Sequence, residues 1–356
     1  MTRLYLPAVF AIVAAAPAAA QDAPTPEQIM EAWLNSPHAD GSAEAFSHWD
    51  EEGEIPGDCA VCHSTPGFLS YIEGDRSTSA MIDHPVEIGT TVQCDVCHAP
   101  GVNGLEVAVF PSGETAGFGG STVCAVCHQG RAWGGDVDAA VAGLDEDAVS
   151  PDLSFVNIHY SAAASTLMGS AVAAGYEYEG RDYAGPFAHV EPLNTCAECH
   201  SPHETTVALD TCTTCHQGIE DFRDIRATQV DVDGDGDVSE GIGHVIADLH
   251  DRLAAAIRTY AAEVSDAPVV YAEASYPYFF ADTNADGAAD ADEAAFPNRY
   301  QSWTPRLLKA AYNYQYVAKD GGAFAHNPHY ALQLMIDSIE NLAEQADIDT
   351  TGLARP

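Results

Sequence analysis

The chain has 356 residues, 46% of them hydrophobic, a composition ordinary for a folded protein of one or two domains. It has 54 Asp and Glu residues but only 13 Lys and Arg, which gives a formal net charge of -41. Nucleic acid and anionic membrane surfaces are poor partners for a chain with this charge. Two interpretations remain open: adaptation to a salty habitat, and electrostatic steering of a basic partner protein.

The first segment, residues 1–20, predicts a cleavable secretory signal peptide. Arg3 precedes an apolar run over residues 4–16, and small residues follow that run. Pro7 and Pro17 interrupt the segment, which is also short for a membrane span. We therefore expect an exported protein, periplasmic or at the cell surface, with no membrane span after cleavage.

All ten cysteines occur in five Cys-x-x-Cys-His motifs. In each motif, two thiols can form thioethers to one porphyrin, and the adjacent imidazole can bind its iron. Zinc sites, disulfides and thioredoxin-like motifs explain the pattern less well, because five identical units neither pair off nor join distant segments. The sequence thus predicts five haem c groups. The motifs are Cys59, Cys62 and His63; Cys94, Cys97 and His98; Cys124, Cys127 and His128; Cys196, Cys199 and His200; and Cys212, Cys215 and His216.

The histidines outside the motifs are candidates for the second axial ligand of each iron. Of the 15 His residues five are proximal, and the other ten are twice the number needed for bis-histidine ligation. Histidines near the motifs, or in the long gap between the third and fourth motifs, are favoured, and His38 and His326 are second candidates. The chosen distal candidates are His48, His84, His159, His189 and His203.

A twelve-residue loop near the C-terminus has the pattern of an EF-hand calcium loop. Oxygen-bearing side chains occupy positions one, three, five and nine, with Gly287 at position six and a Glu at position twelve. Ala289 replaces the usual large apolar residue, and Pro297 shortens the exit helix. The predicted calcium ligands are Asp282, Asn284, Asp286, Asp290 and Glu293.

A second acidic loop repeats only the opening of this pattern. Its candidate ligands are Asp231, Asp233, Asp235 and Glu240, but Ile242 stands at position twelve. A calcium site with an irregular shell and a simple acidic turn are both compatible with it.

The spacing of the motifs and of the apolar residues divides the chain into regions. Residues 21–219 contain all five motifs and predict a haem-packed domain of short helices and loops, because about 30 residues per haem leave little room for another core. Residues 220–356 predict a helical domain, with amphipathic helices starting near Ile242, Pro305 and Pro328. The expected fold class is mainly α with extensive loops.

The chain resembles exported multihaem c-type cytochromes of the doubled-motif type. The resemblance rests on the five motifs, on the close pair over residues 196–203 and 212–216, and on the segments 303–315 and 323–328. It implies respiratory electron transfer, with redox proteins or an extracellular acceptor as partners. Two alternatives remain: a reductase of nitrite, hydroxylamine or a sulfur oxyanion with one open haem, and a subunit that assembles into filaments.

Overall fold

The computed structural model describes residues 23–226 and 229–356. The predicted signal peptide lies outside the described residues. Within them, no helix combines the length and apolar character needed to cross a membrane.

The described residues form α-helices joined by long loops, together with three small antiparallel sheets. The helices are α1 (Pro26–Leu34), α2 (Glu44–Ser47), α3 (Gly57–His63), α4 (Thr65–Glu73), α5 (Cys94–His98), α6 (Thr122–Cys127), α7 (Gly134–Val141), α8 (Ala163–Met168), α9 (Cys196–Cys199), α10 (Leu209–Thr213), α11 (Ile242–Glu263), α12 (Pro305–Ala318), α13 (Ala323–His326) and α14 (Pro328–Ala343). The strands pair as β1 (Glu54–Ile55) with β2 (Val86–Glu87), β3 (Ala108–Val109) with β4 (Thr115–Ala116), and β5 (Val269–Tyr271) with β6 (Phe279–Ala281). The predicted mainly α class is confirmed in outline.

The three long C-terminal helices follow the predicted periodicity. Thr304 and Asn327 cap α12 and α14, because their side chains accept hydrogen bonds from the backbone N–H groups of Leu307 and Tyr330. A proline at the first position of α12 and of α14 fixes the backbone φ angle there. The buried stripes are Val245, Leu249, Leu253, Ile257 and Tyr260 on α11 and Leu332, Met335, Ile336, Ile339 and Leu342 on α14.

The C-terminal helices pack on one another and also on the region between the third and fourth motifs. The Tyr312 hydroxyl donates to the carbonyl of Ala174 at 2.7 Å, and the backbone N–H of Tyr176 donates to Asn313 Oδ1 at 2.7 Å. One continuous cluster of buried apolar side chains includes residues from both predicted domains. Side chains of the two predicted regions are therefore in contact.

Candidate functional site

Each Cys-x-x-Cys-His motif begins on a short helix. The five helices are α3, α5, α6, α9 and α10, and none is longer than the 7 residues of α3. Helices this short are unstable alone in water, so their position depends on contacts elsewhere. All ten cysteines are described, and none forms a disulfide. Both thiols of every motif thus remain available for covalent attachment.

Each of the five motif histidines faces the ring of one other histidine. These pairs come from separate segments of the chain, and their ring centroids lie between 5.9 and 6.4 Å apart. The pairs are His63 with His159 (5.9 Å), His128 with His38 (6.1 Å), His98 with His203 (6.2 Å), His216 with His189 (6.2 Å), and His200 with His326 (6.4 Å).

This separation fits a metal ion between the rings. An imidazole nitrogen binds a metal at about 2 Å and lies about 1 Å from its own ring centre, so rings on opposite sides of one ion have centroids about 6 Å apart. Direct ring stacking would be closer, as between His250 and Tyr314 at 3.9 Å. The geometry and the donor atoms of all five pairs therefore fit an iron with two histidine ligands.

Three of the five distal candidates, His159, His189 and His203, face a motif histidine. Neither His48 nor His84 makes a ring contact with a motif histidine, although His48 lies near enough to His63 to contribute to lowering its pKa after the larger effect of burial. His48 Nδ1 lies 2.8 Å from Glu44 Oε1, and its side chain is 58% exposed.

His84 also makes polar contacts with nearby side chains. Its Nε2 lies 3.1 Å from Ser70 Oγ and its Nδ1 lies 2.9 Å from Asp83 Oδ1. His38 and His326, the two second candidates, stand opposite His128 and His200 instead. His38 and His326 both come from segments far in sequence from the motifs that they face, so nearness to a motif in sequence does not identify them.

Burial keeps several of the paired imidazoles neutral. Burial lowers the pKa of His128 to about 4, and the neighbouring His38, His200 and His326 add to this effect. Burial, with His63, Arg131 and Lys319, likewise lowers the pKa of His159 to about 4. A neutral imidazole has the free lone pair that a metal ligand needs.

Hydrogen bonds fix the orientation of two of these rings. His63 Nδ1 lies 2.6 Å from the carbonyl oxygen of Ala45. His326 Nδ1 lies 2.8 and 2.9 Å from the two carboxylate oxygens of Asp320, which is 3% exposed. A bond from Nδ1–H leaves Nε2 as the ligand atom, the arrangement that second-shell partners impose on metal-binding histidines. Asp320 was not found from the sequence, because nothing in its local pattern distinguishes it from the many other acidic residues.

The motifs are neighbours in an order that differs from the sequence. The Cys62 thiol contacts Cys127, and the Cys124 thiol contacts Cys196. The charge of Cys97 raises the pKa of Cys124, although less than the contact with Cys196 and burial do. The third motif therefore adjoins the first, second and fourth.

The fourth and fifth motifs are also adjacent. Burial raises the pKa of Cys199, and the charge of Cys212 adds to this shift. The short sequence between the two motifs is thus matched by proximity in space.

The loop over residues 282–293 has several features of a calcium loop. Asp282 Oδ2 accepts a hydrogen bond from the Gly287 N–H at 2.9 Å, and Glu293 Oε1 accepts one from the Thr283 N–H at 2.7 Å. Asp282 Oδ1 and Glu293 Oε2 are buried and have no hydrogen-bond partner among the described residues. Two orphaned carboxylate oxygens at the first and last ligand positions fit a cation.

The elements on either side of this loop differ from those of an EF-hand. The strand β6 leads into the loop, and a short 3-10 turn, Phe296–Asn298, follows it. Pro297 lies within that turn, where it prevents a longer exit helix. The loop is therefore EF-hand-like in its ligands but not in its flanking helices.

The second acidic loop also turns around one carboxylate. Asp231 accepts hydrogen bonds from the N–H groups of Gly234 at 2.7 Å and Gly236 at 3.0 Å. One oxygen each from Asp231, Asp233 and Asp235 lie within 4.8 Å of one another. Burial and the Asp235 charge raise the pKa of Asp233, as expected where acidic groups have no neutralising cation.

Comparison with known proteins identifies similar multihaem cytochromes. The chain is 27% identical over 87% of its length to the C-type polyheme cytochrome OmcB of two Geobacter sulfurreducens strains, and 26% identical over 92% to OmcC of that species. It spans 47–48% of the length of these relatives. No family model matches the chain. No solved structure matches it either. The chain is thus similar in sequence to C-type polyheme cytochromes that are about twice its length.

Proposed function

We propose that this chain binds five haem c groups, each with two histidine ligands, and that it transfers electrons as an exported cytochrome. The observation that carries the proposal is the set of five histidine pairs. Every motif histidine has one partner ring, each at a separation that suits an intervening iron. The polyhaem cytochromes with similar sequences support the same function.

The ligand set that we propose follows the pairs. The ten motif cysteines attach the porphyrins, the motif histidines are the proximal ligands, and the distal ligands are His38, His159, His189, His203 and His326. The last of these lies in the region predicted as a separate helical domain. We infer that residues 21–219 depend on residues 220–356 to complete one iron site.

The residues around the pairs suit rapid electron exchange. Haem supplies one-electron oxidation and reduction when it is bound. Burial keeps His128 and His159 neutral, and Ala45 and Asp320 hold the rings of His63 and His326 in place. Fixed ligands move little when the charge of the iron changes, which favours electron transfer.

A reductase would need an iron that is open to substrate. Each of the five pairs supplies a second histidine, so the described geometry favours an electron carrier over nitrite, hydroxylamine or sulfur-oxyanion reduction. We propose a redox protein or an extracellular electron acceptor as the partner. The strongly acidic surface would favour a partner with a basic docking face.

Single histidine variants test the ligand set. The protein is produced in a host with c-type maturation, and intact mass should show five covalent haems. The wild type should be low-spin and should hardly bind carbon monoxide. His326→Ala should produce one high-spin haem that binds carbon monoxide, while His329→Ala, an exposed control three positions away, should resemble the wild type.

Two further variants test His48 and His84, the sequence-predicted distal ligands that lie outside the five histidine pairs. His48→Ala and His84→Ala should leave every haem low-spin, because these residues pair with Glu44 and Ser70. A low-spin His326→Ala protein, or a high-spin His84→Ala protein, would contradict the ligand set. A wild type with a substantial high-spin fraction and turnover of nitrite or hydroxylamine would support the reductase instead.

We also propose that the 282–293 loop binds calcium. The orphaned oxygens of Asp282 and Glu293 support the assignment, and Gly287 adopts the positive φ of 78° that the tight turn requires. Glu293→Gln should weaken calcium binding strongly, because a bidentate carboxylate becomes a neutral amide. Equal calcium affinity of the variant and the wild type by calorimetry would contradict it.

A further inference from the structure

The second acidic loop packs against α11, which presents an acidic residue to it. Asp248 lies on this helix, six residues after its start at Ile242. One oxygen each from Asp233, Glu240 and Asp248 lie within 4.8 Å of one another. Asp233 thus belongs to two overlapping clusters, one within the loop and one shared with the helix.

Two oxygens in the shared cluster point to a missing ligand. Asp233 Oδ1 and Glu240 Oε1 are buried, and neither has a hydrogen-bond partner among the described residues. Asp233 as a whole residue is only 4% exposed. Leaving a buried carboxylate oxygen without a partner is costly, so a native protein normally satisfies it with a donor, water or a cation.

The spacing of the oxygens suits calcium. Calcium binds oxygen at about 2.3–2.6 Å, so two oxygens on opposite sides of the ion are about 5 Å apart at most. Three carboxylate oxygens within 4.8 Å can therefore share one ion. Magnesium is a poorer fit, since it requires a smaller and nearly regular octahedral shell and retains much of its water.

The surrounding contacts hold the loop in position for such a site. The Arg252 guanidinium, on the same helix, donates to the backbone carbonyls of Asp233 and Asp349 and does not bind the Asp233 carboxylate. The Ala354 N–H donates to the carbonyl of Val232 at 2.9 Å. Backbone contacts thus place the loop, while the carboxylates that face the helix are left for a cation.

We propose that Asp248 completes a second calcium site with Asp233 and Glu240. Asp248 replaces the Glu that the loop lacks at position twelve, and it comes from the following helix and not from the loop itself. The ion would link residues 231–240 to α11. This inference extends the calcium binding proposed for the 282–293 loop and is independent of the haem ligands.

Calorimetry on the full holoprotein tests the site. After removal of divalent ions with chelator, calcium is titrated at physiological ionic strength, with magnesium as the comparison cation. The wild type should bind two calcium ions, and Asp248→Asn should lose one of them. Asp251→Asn, an exposed residue on the same helix with the same change of charge, should retain both.

The pattern of losses distinguishes the two loops. Glu293→Gln should remove the ion that Asp248→Asn leaves in place. Two bound ions in Asp248→Asn would overturn the Asp248 site. One ion in the wild type that disappears with Glu293→Gln alone would also overturn it, while leaving the 282–293 proposal intact. One ion that disappears with Asp248→Asn alone would support the Asp248 site and reject the other loop.

Discussion

The region of the five motifs and the region of the three C-terminal helices are built in different ways. Around the motifs, the helices are short and many loops separate them; α9, for example, has 4 residues. At the C-terminal end, α11 has 22 residues and a continuous buried stripe. The C-terminal region contributes long buried stripes to the continuous apolar cluster, whereas we propose that the short helices of the motif region need porphyrins to complete their packing. Apolar periodicity therefore predicts the long helices of the C-terminal region, but short helices of four to seven residues carry too few positions for such a pattern.

Removing the haems should have the largest effect, because it should reduce hydrogen-exchange protection in one region much more than in the other. In a host without c-type maturation, residues 23–128 should lose most of their protection from hydrogen exchange, because short helices are unstable alone. Residues 242–343 should retain more protection, since their stripes pack together. Mass-spectrometric exchange on the haem-free and holo forms measures both. Equal loss of protection in the two regions would contradict the proposed difference.

A cavity in the C-terminal core should have the next largest effect. Leu249 is fully buried on α11, and Leu249→Ala should cost about 2–5 kcal/mol of unfolding free energy through lost contacts and an unfilled cavity. Denaturant unfolding followed by circular dichroism measures this cost. Leu144→Ala, at a position 37% exposed, should change stability little. The haem spectrum should be unchanged in both variants; a new high-spin signal in Leu249→Ala would show that the two regions are not separable in this way.

A change at the junction of the regions should act on one haem only. Asp320→Asn removes the negative charge beside His326 but keeps an acceptor for its Nδ1–H. The reduction potential of one haem should rise by on the order of tens of millivolts, where 59 mV equals a tenfold change for one electron. Spectroelectrochemistry measures this shift. Asp83→Asn beside the unpaired His84 is the control, and equal potentials in all three proteins would reject a role for Asp320.

The last prediction concerns Lys319 and pH. Its Nζ lies 3.6 Å from the ring centroid of Tyr160 and 4.4 Å from that of Tyr278. Burial lowers its pKa from 10.5 to about 8, against a weaker opposing effect of Glu273. Between these two pKa values the unfolded chain holds a proton that the folded chain has lost, so the Lys319 contribution to stability rises with pH.

Comparison of the wild type with Lys319→Met isolates that contribution. The stability difference between the two proteins should change by less than about 1.4 kcal/mol per pH unit, the limit for one proton. Denaturant midpoints between pH 7 and 10 give the slope. Parallel profiles for the two proteins would show that Lys319 does not titrate in this range.

Features that depend on a short stretch of sequence could be predicted, whereas features that depend on which distant segments meet could not. The three C-terminal helices were predictable, since their buried faces, and the proline starts of α12 and α14, are local features. The EF-hand-like pattern of residues 282–293 can be recognised in the sequence, because one short loop carries all of its residues, and calcium binding there stays a prediction. The second histidine of each pair was harder, because it depends on which distant segments meet. His326 faces His200 only because α13 packs on the rest of the fold. The positions of Asp320 beside His326 and of Asp248 beside Asp233 likewise depend on tertiary packing.

If iron joins the histidine pairs as proposed, they also give the chain a set of long-range cross-links. Only His189 and His216 are near each other in sequence; the other four pairs join distant segments. In the chain-entropy account of disulfides, closing a loop of about 100 residues removes about 4–5 kcal/mol of freedom from the unfolded chain. Iron–histidine bonds differ from disulfides because they can form again with another partner. A denatured holoprotein therefore has spare imidazoles such as His48 and His84 available, and misligated traps would be expected to slow its return to the native pairing.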